Sequence, residues 1–406
     1  MDDQGEARTT LRRSEGGFPV VGIIGGGQLA RMCQPPAVGL NVTLSVLSES
    51  DTAAAALVVP HAPVGACTDL DAVLAFARGC DVVTFDHEQV PQSVLHTLQA
   101  AGVTLHPDPS ALVYAQDKIA MRRRLRDMGV PCPRWAVARA PEHVADFATH
   151  VGWPVVAKTP RGGYDGKGVR VVRSASELDD WLSAVGQDED SPVAEGVLLE
   201  EAVSFAREIA VMVARSPSGQ AATWAVVETV QEYGICTEVL APAPDLSDTV
   251  AVAATEAALR IAGELNVTGV MAVEMFEVVG SDGEPAFLVN ELAMRPHNSG
   301  HWSIDGAVTS QFEQHLRAVL DLPLGETTSR QPWTVMANVL GGEDPELYST
   351  YRHLMARDPG LRIHLYGKSV RPGRKIGHVS IYGDDLADLR SRGRHAADFL
   401  QGVIDE

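Results

Sequence analysis

The chain has no run of about 18 apolar residues, the length a membrane-spanning helix needs, so no segment is read as crossing a bilayer. Its five cysteines, Cys33, Cys67, Cys80, Cys132 and Cys236, form no Cys-x-x-Cys pair, which argues against a disulfide framework or a zinc site. They are read as small buried hydrophobes in a reducing cytosol, giving a cytoplasmic expectation. Positive charge is also short: 33 Lys and Arg face 53 Asp and Glu, for a net charge of −20. No surplus exists to neutralise a phosphate backbone, so nucleic acid is not expected as a partner. The first 17 residues carry Arg8, Arg12 and Arg13 but no apolar centre, so they are read as a disordered extension, not a signal peptide.

What is present is a globular composition, 45% hydrophobic and 21% charged, over 406 residues. That length exceeds one core and predicts two or three domains. From Val20 an apolar strand runs into a Gly-rich turn and a helix. The runs Val42 to Leu47, Val82 to Phe85 and Val103 to His106 follow, with helical stretches at Leu70 to Arg78 and Ser93 to Ala101 between them. Alternating strands and helices predict a parallel, doubly wound first domain over residues 18–109. A helix capped by Asp117 and stopped by Gly129 and Pro131 opens the second, over residues 110–325. Short β-rich runs then make a subdomain at about residues 130–203. A long helix from Asp248 to Leu265 precedes two strands, Met271 to Val278 and Phe287 to Leu292. Residues 326–406 read as a small α+β domain. The fold class is therefore α/β and α+β, in several domains.

Five motifs carry chemistry. GGGQLA, Gly25 to Ala30, fits a dinucleotide-binding turn, with Glu49 and Asp51 placed as ribose acids would be. Alone it suggests NAD, though such a turn suits any ligand nearing a helix N-terminus. GGYDGKG, Gly162 to Gly168, lies between two strands and lacks the Ser or Thr of a P-loop, so it is read as a hairpin flap over phosphate. Glu274 and Glu291 each interrupt an apolar strand, where an unpaired charge is costly. A hairpin turning near Ser281 and Asp282 pairs Glu274 with about Val289. Glu291 is then a diagonal neighbour within about 8 Å, suited with Asn290 to hold Mg²⁺. MRPHNSGHW, Met294 to Trp302, crowds Arg295, His297, Asn298, Ser299 and His301 into one loop fit for substrate. GKSVRPGRKIGH, Gly367 to His378, gathers Lys368, Arg371, Arg374 and Lys375 into an anion site.

In this order the motifs resemble the ATP-grasp superfamily. GGGQLARM, TFDHEQVP, GGYDGKG, NELAMRPHNSGHW and VRPGRKIGH are similar to strings of its N5-carboxyaminoimidazole ribonucleotide synthase family. The resemblance covers nearly the whole chain from Val20. It implies an ATP-grasp fold with a Rossmann-like N-terminal domain and a small C-terminal one, ATP and Mg²⁺ as cofactors, and a ligase of purine biosynthesis. That ligase carboxylates aminoimidazole ribonucleotide with bicarbonate through carboxyphosphate; a homodimer is implied as well. Lys118 and Lys158 would contact ATP phosphates under the flap Gly163, Tyr164, Asp165, Gly166, Lys167, Gly168 and Val169. Glu200, Glu201, Ala202 and Val203 would hold adenine, Glu208 the ribose, with Gln231 nearby. Glu274 and Glu291 would bind Mg²⁺ beside Asn290, and Arg295 would face bicarbonate. Lys368, Arg371, Arg374 and Lys375 would grip the substrate's 5′-phosphate, helped by Gly27 and Gln28, with His297 and Asn298 also at the substrate. Four positions depart from the family pattern: His87 for an aromatic, Lys118 for arginine, Gln231 for histidine and Met294 for proline.

Overall fold

The structure is a computed structural model that describes residues 11–163, 168–189, 191–280 and 283–404. The first domain holds three parallel strands, β1 (Val20–Ile24), β2 (Thr43–Leu47) and β3 (Val82–Phe85), in the order β2-β1-β3. All five residues of β1 are buried, as expected for a strand covered by helices on both faces. The run Val103 to His106 adds only a bridge between Val83 and Leu105. Pro107 and Pro109 follow at once and have no N–H to extend a ladder. The start of the chain also differs from a free extension. Arg13 reaches Asp81 at 2.7 Å and the Ser14 N–H donates to Thr43 Oγ1, so the residues just before β1 lie against this domain. The first ten residues lie outside the described ones.

The second domain opens on the helix Lys118–Asp127, whose N-cap Asp117 accepts from the Ala120 N–H at 3.0 Å. Gly129 follows its end at φ +68, the left-handed conformation that closes a helix. Four antiparallel strands then form a small sheet: β4 (Trp135–Ala138), β5 (Val155–Lys158), β6 (Val169–Val172) and β7 (Val197–Glu201), ordered β4-β7-β5-β6. It encloses its own core around Phe147, Leu178 and Leu199.

A nine-stranded antiparallel sheet forms the body of the molecule. From the second domain come β8 (Arg207–Arg215), β9 (Ala221–Thr223), β10 (Val227–Glu232), β11 (Ile235–Ala241), β12 (Gly269–Val279) and β13 (Pro285–Ala293). The C-terminal segment adds β14 (Trp333–Leu340), β15 (Arg362–Leu365) and β16 (Lys375–Gly383). The order is β13-β12-β8-β10-β11-β14-β16-β15, with β9 on β8. The C-terminal segment is therefore not detached: β14 pairs with β11 from Thr334 to Ala337 and covers what would be an exposed apolar edge. This union carries the basic loop before β16 to the same face as the acids of β12 and β13. Among the described residues no helix is long and apolar enough to cross a membrane.

Candidate functional site

A cleft of about 1990 Å³ opens between the small sheet, the large sheet and the first domain. Its floor is the β12–β13 hairpin. In the ladder Glu274 pairs directly with Glu291, and the next pair is Met275 with Val289. Asn290 is thus an extra residue, a β-bulge, and the diagonal arrangement expected from an unbroken register is replaced by a face-to-face one. In a regular strand Asn290 and Glu291 would point to opposite faces. Here both line the cleft together with Glu274. Ser281 and Asp282, the expected turn, lie outside the described residues.

The two acids differ electrostatically. Burial, then Glu291 and Glu208, pushes the Glu274 carboxyl up to about 7. Burial also disfavours charge on Glu291, but Lys118 and Lys158 outweigh it and hold that carboxyl below its usual range. Lys158 donates to Glu200 Oε2 and Asn290 Oδ1, each at 2.9 Å, and stands 3.7 Å from Glu291. Lys118 stands 3.8 Å from Glu291. The cleft holds no cluster of three or more His, Cys, Asp or Glu suited to a metal among the described residues. Two facing carboxylates with an amide oxygen beside them do fit a cation that draws its other ligands from phosphates and water, as Mg²⁺ does.

Glu200, Glu201, Ala202 and Val203 line one wall at the end of β7. Phe205 and Phe276 stack across it with ring centroids 4.7 Å apart, an apolar slab that no sequence motif announced. Glu208 lies near, hydrogen-bonded to Gln231, and burial raises its carboxyl above the usual value. Gly163 and Val169 line the cleft at the base of the flap hairpin, which the Thr159 N–H closes by donating to Gly168 O at 2.9 Å. Tyr164, Asp165, Gly166 and Lys167 lie outside the described residues.

The residues that the sequence assigns to substrate, Gly27 excepted, are in the same cleft. Arg295, His297, Asn298, Lys368, Arg371, Arg374 and Lys375 all line the cleft, and so does Gln28. Arg295 donates to Glu88 at 2.7 Å; Glu88 lies in the TFDHEQVP string, where nothing local marks it as a site residue. His297 stands 3.3 Å from Glu274, yet burial, then Arg295 and Lys375, pushes its imidazole down to about 3. The ring is therefore neutral: Nδ1 accepts from the Ser299 N–H and Nε2 is the nitrogen that faces Glu274. Asn298 is engaged elsewhere, exchanging hydrogen bonds with Asn338 of β14 at 2.9 and 2.8 Å.

Gly27 is not among the cleft residues. A Cβ there would meet Asp86 Oδ2 at 2.0 Å, and the Asp86 carboxylate accepts from the Ala30 N–H at 2.7 Å. The helix N-terminus where a dinucleotide pyrophosphate would sit is thus already capped by an acid. Glu49, the candidate ribose acid, instead accepts from the Gly26 N–H and faces His87. The NAD reading of this turn fails on both counts.

A small antiparallel sheet over a large one, with lysines, carboxylates and a glycine-rich hairpin around the cleft between them, defines an ATP-grasp protein. Residues 123–312 match the ATP-grasp domain, residues 19–116 the ribonucleotide synthetase preATP-grasp domain, and residues 334–392 the phosphoribosylaminoimidazole carboxylase C-terminal domain. The chain belongs to the N5-carboxyaminoimidazole ribonucleotide synthase family. It is 52% identical over 385 residues to the synthase of Mycobacterium tuberculosis, covering 94% of this chain and 88% of that protein. The synthase of Corynebacterium ammoniagenes is 46% identical, over 95% and 92% of the two chains. Among solved structures, the synthetase of Thermus thermophilus superposes with a TM-score of 0.81 at 37% identity, over 94% and 98%. The Aspergillus clavatus enzyme, solved with ADP and 5-aminoimidazole ribonucleotide, gives 0.83 at 31% identity, over 95% and 99%.

Proposed function

We propose that this protein carboxylates the exocyclic amine of 5-aminoimidazole ribonucleotide, consuming ATP and bicarbonate and releasing ADP and phosphate, as a step of purine biosynthesis. The observation that carries this reading is the shared cleft. Lys118, Lys158, Glu208, Glu274, Asn290 and Glu291 line it together with Lys368, Arg371, Arg374 and Lys375. A nucleotide and a phosphorylated substrate thus meet in one cavity, and Arg295 lines it as well.

Lys118 and Lys158 neutralise phosphate oxygens, Glu208 accepts from ribose hydroxyls, and Glu200 to Val203 face adenine. Glu274 and Glu291, with Asn290, would hold Mg²⁺, which when bound offsets charge on the transferring phosphoryl group. A bicarbonate oxygen attacks the γ-phosphorus as its bond to the ADP oxygen breaks, giving carboxyphosphate. The amine nitrogen then bonds to the carboxyl carbon, phosphate leaves, and the nitrogen gives up a proton. Arg295, held by Glu88, presents its guanidinium to the anionic intermediate. The flap from Gly163 to Val169 excludes water from that labile species. A homodimer is part of the same reading and is read out by light scattering.

The test is an assay of ADP release with ATP, Mg²⁺ and bicarbonate, with and without the ribonucleotide. Release that depends on the ribonucleotide and incorporates labelled bicarbonate supports the reading. Release indifferent to the ribonucleotide overturns it.

A further inference from the structure

We infer that Arg122 is a positioning residue that sets the Asn290–Glu291 bulge against Lys158 and thereby couples nucleotide binding to divalent-cation binding. The inference rests on the ATP- and Mg²⁺-dependent reading above and concerns a residue outside the cleft lining.

Arg122 is fully buried, one helical turn beyond Lys118 on the helix Lys118–Asp127. Residues four apart share a helix face, so Lys118 meets the cleft while Arg122 lies beneath it. Its guanidinium makes three hydrogen bonds: Nε to Glu200 Oε1 at 2.6 Å, Nη1 to Val289 O at 3.0 Å and Nη2 to Asn290 O at 2.7 Å. The two carbonyls belong to the bulge, where the ladder is interrupted and backbone groups need other partners. The neighbouring Val289 N–H is met by Pro131 O at 2.8 Å.

These contacts close a ring. Arg122 binds Glu200, Glu200 binds Lys158, Lys158 binds the Asn290 side chain, and the Asn290 carbonyl returns to Arg122. Lys158 comes from the small sheet and Asn290 from the large one, so the ring fixes the nucleotide lysine relative to the acid strand. A buried ion pair of this kind adds little net stability, so its principal effect is on geometry. Lysine at this position would keep the charge but lose the planar fork that reaches two strands at once.

The test uses the full chain and calorimetric titration with ADP, with and without Mg²⁺, alongside titration with the ribonucleotide. In the parent protein Mg²⁺ should tighten ADP binding. In Arg122→Lys that enhancement should fall by about tenfold, the scale of one charge-assisted hydrogen bond. Ribonucleotide binding should stay within about twofold, because the three hydrogen bonds of the Arg122 guanidinium go to Glu200, Val289 and Asn290 and to none of the residues assigned to that substrate. An unchanged Mg²⁺ enhancement overturns the inference, and so does an equal loss of ribonucleotide binding, which would mark general damage. Should Arg122→Lys not fold, Arg122→Gln, which retains a donor for one carbonyl, carries the same titration. Failure of both to fold also overturns it, since the residue would then serve the fold first. A parent protein that binds no ADP sinks the functional reading itself, a distinct result.

Discussion

Glu274 on β12 and Glu291 on β13 are direct partners across the ladder, and the single extra residue Asn290 makes them so. Without the bulge the register of Met275 with Val289 would run on, Glu274 would face Asn290, and Glu291 would point to the other side of the sheet. The arrangement places two carboxylates where their mutual repulsion and burial favour protonating one of them, with Glu274 pushed up to about 7. Such a pair is poor packing and a good cation site.

Glu274→Gln should therefore separate activity from stability. Turnover should fall by about 100-fold or more, as when a group stabilising developing charge is removed. Thermal stability without ligands should hold or rise, since the substitution removes a charge facing Glu291. Steady-state ADP release and a melting curve check both. A variant that loses no more than about tenfold in turnover, or that melts well below the parent protein, contradicts the account.

Much of this site was legible because its parts are local strings. Apolar strands broken by single acids, a glycine hairpin without P-loop chemistry, and four cations in eight residues each stand out in a chain of net charge −20. What joins them is not local. The register shift at Asn290 depends on how two strands pair, and sequence periodicity alone gave the unbroken pairing. The pairing of β14 with β11, which brings the basic loop to the acids, is a long-range contact that no spacing encodes. Glu88 and Arg122 escaped for a related reason: each acts through a partner far along the chain, Arg295 and Asn290 respectively. Only the four-residue step from Lys118 to Arg122 was there to be noticed.

Glu88→Gln tests the link between the first domain and Arg295. The carboxylate holds the guanidinium at 2.7 Å and also accepts from the Met294 N–H at 3.3 Å. Losing the charge should leave the chain folded but misplace Arg295, lowering kcat by about 10- to 100-fold. The ADP dissociation constant should not move, because the nucleotide residues do not contact Glu88. A kcat within about twofold of the parent, an effect too small for a misplaced group, would remove Glu88 from the argument.

Gly27→Ala tests what the glycine-rich turn does. Gly27 has an ordinary φ of −75, so conformation does not demand glycine there. Space does, because a Cβ would strike the Asp86 carboxylate that caps the following helix. The substitution should destabilise the protein by about 1–3 kcal/mol, the range for overpacking with loss of a cap. Urea unfolding measures it. A neutral outcome would mean that Asp86 yields easily and that the turn is kept open for another reason.

His315 gives a pH dependence whose sign is fixed by its partners. The Val270 N–H donates to Nδ1 at 3.0 Å, so the proton of the neutral ring lies on Nε2, directed to Thr84 Oγ1 at 2.9 Å. Burial, then the charge of His106, pushes the imidazole down to about 3. Protonating Nδ1 would set one N–H against another. A histidine whose folded value is depressed contributes stability that is complete above its unfolded value, about 6.5, and is lost as pH falls toward 3. The stability gap between the parent protein and His315→Gln should therefore narrow below about pH 6.5 by about 1.4 kcal/mol for each pH unit. Urea denaturation of both proteins, repeated at intervals from neutral pH into the acid range, measures that gap. A gap that stays constant or widens as the solution is acidified would show that the ring is charged in the folded chain, and the Val270 hydrogen bond would then have to be reassigned.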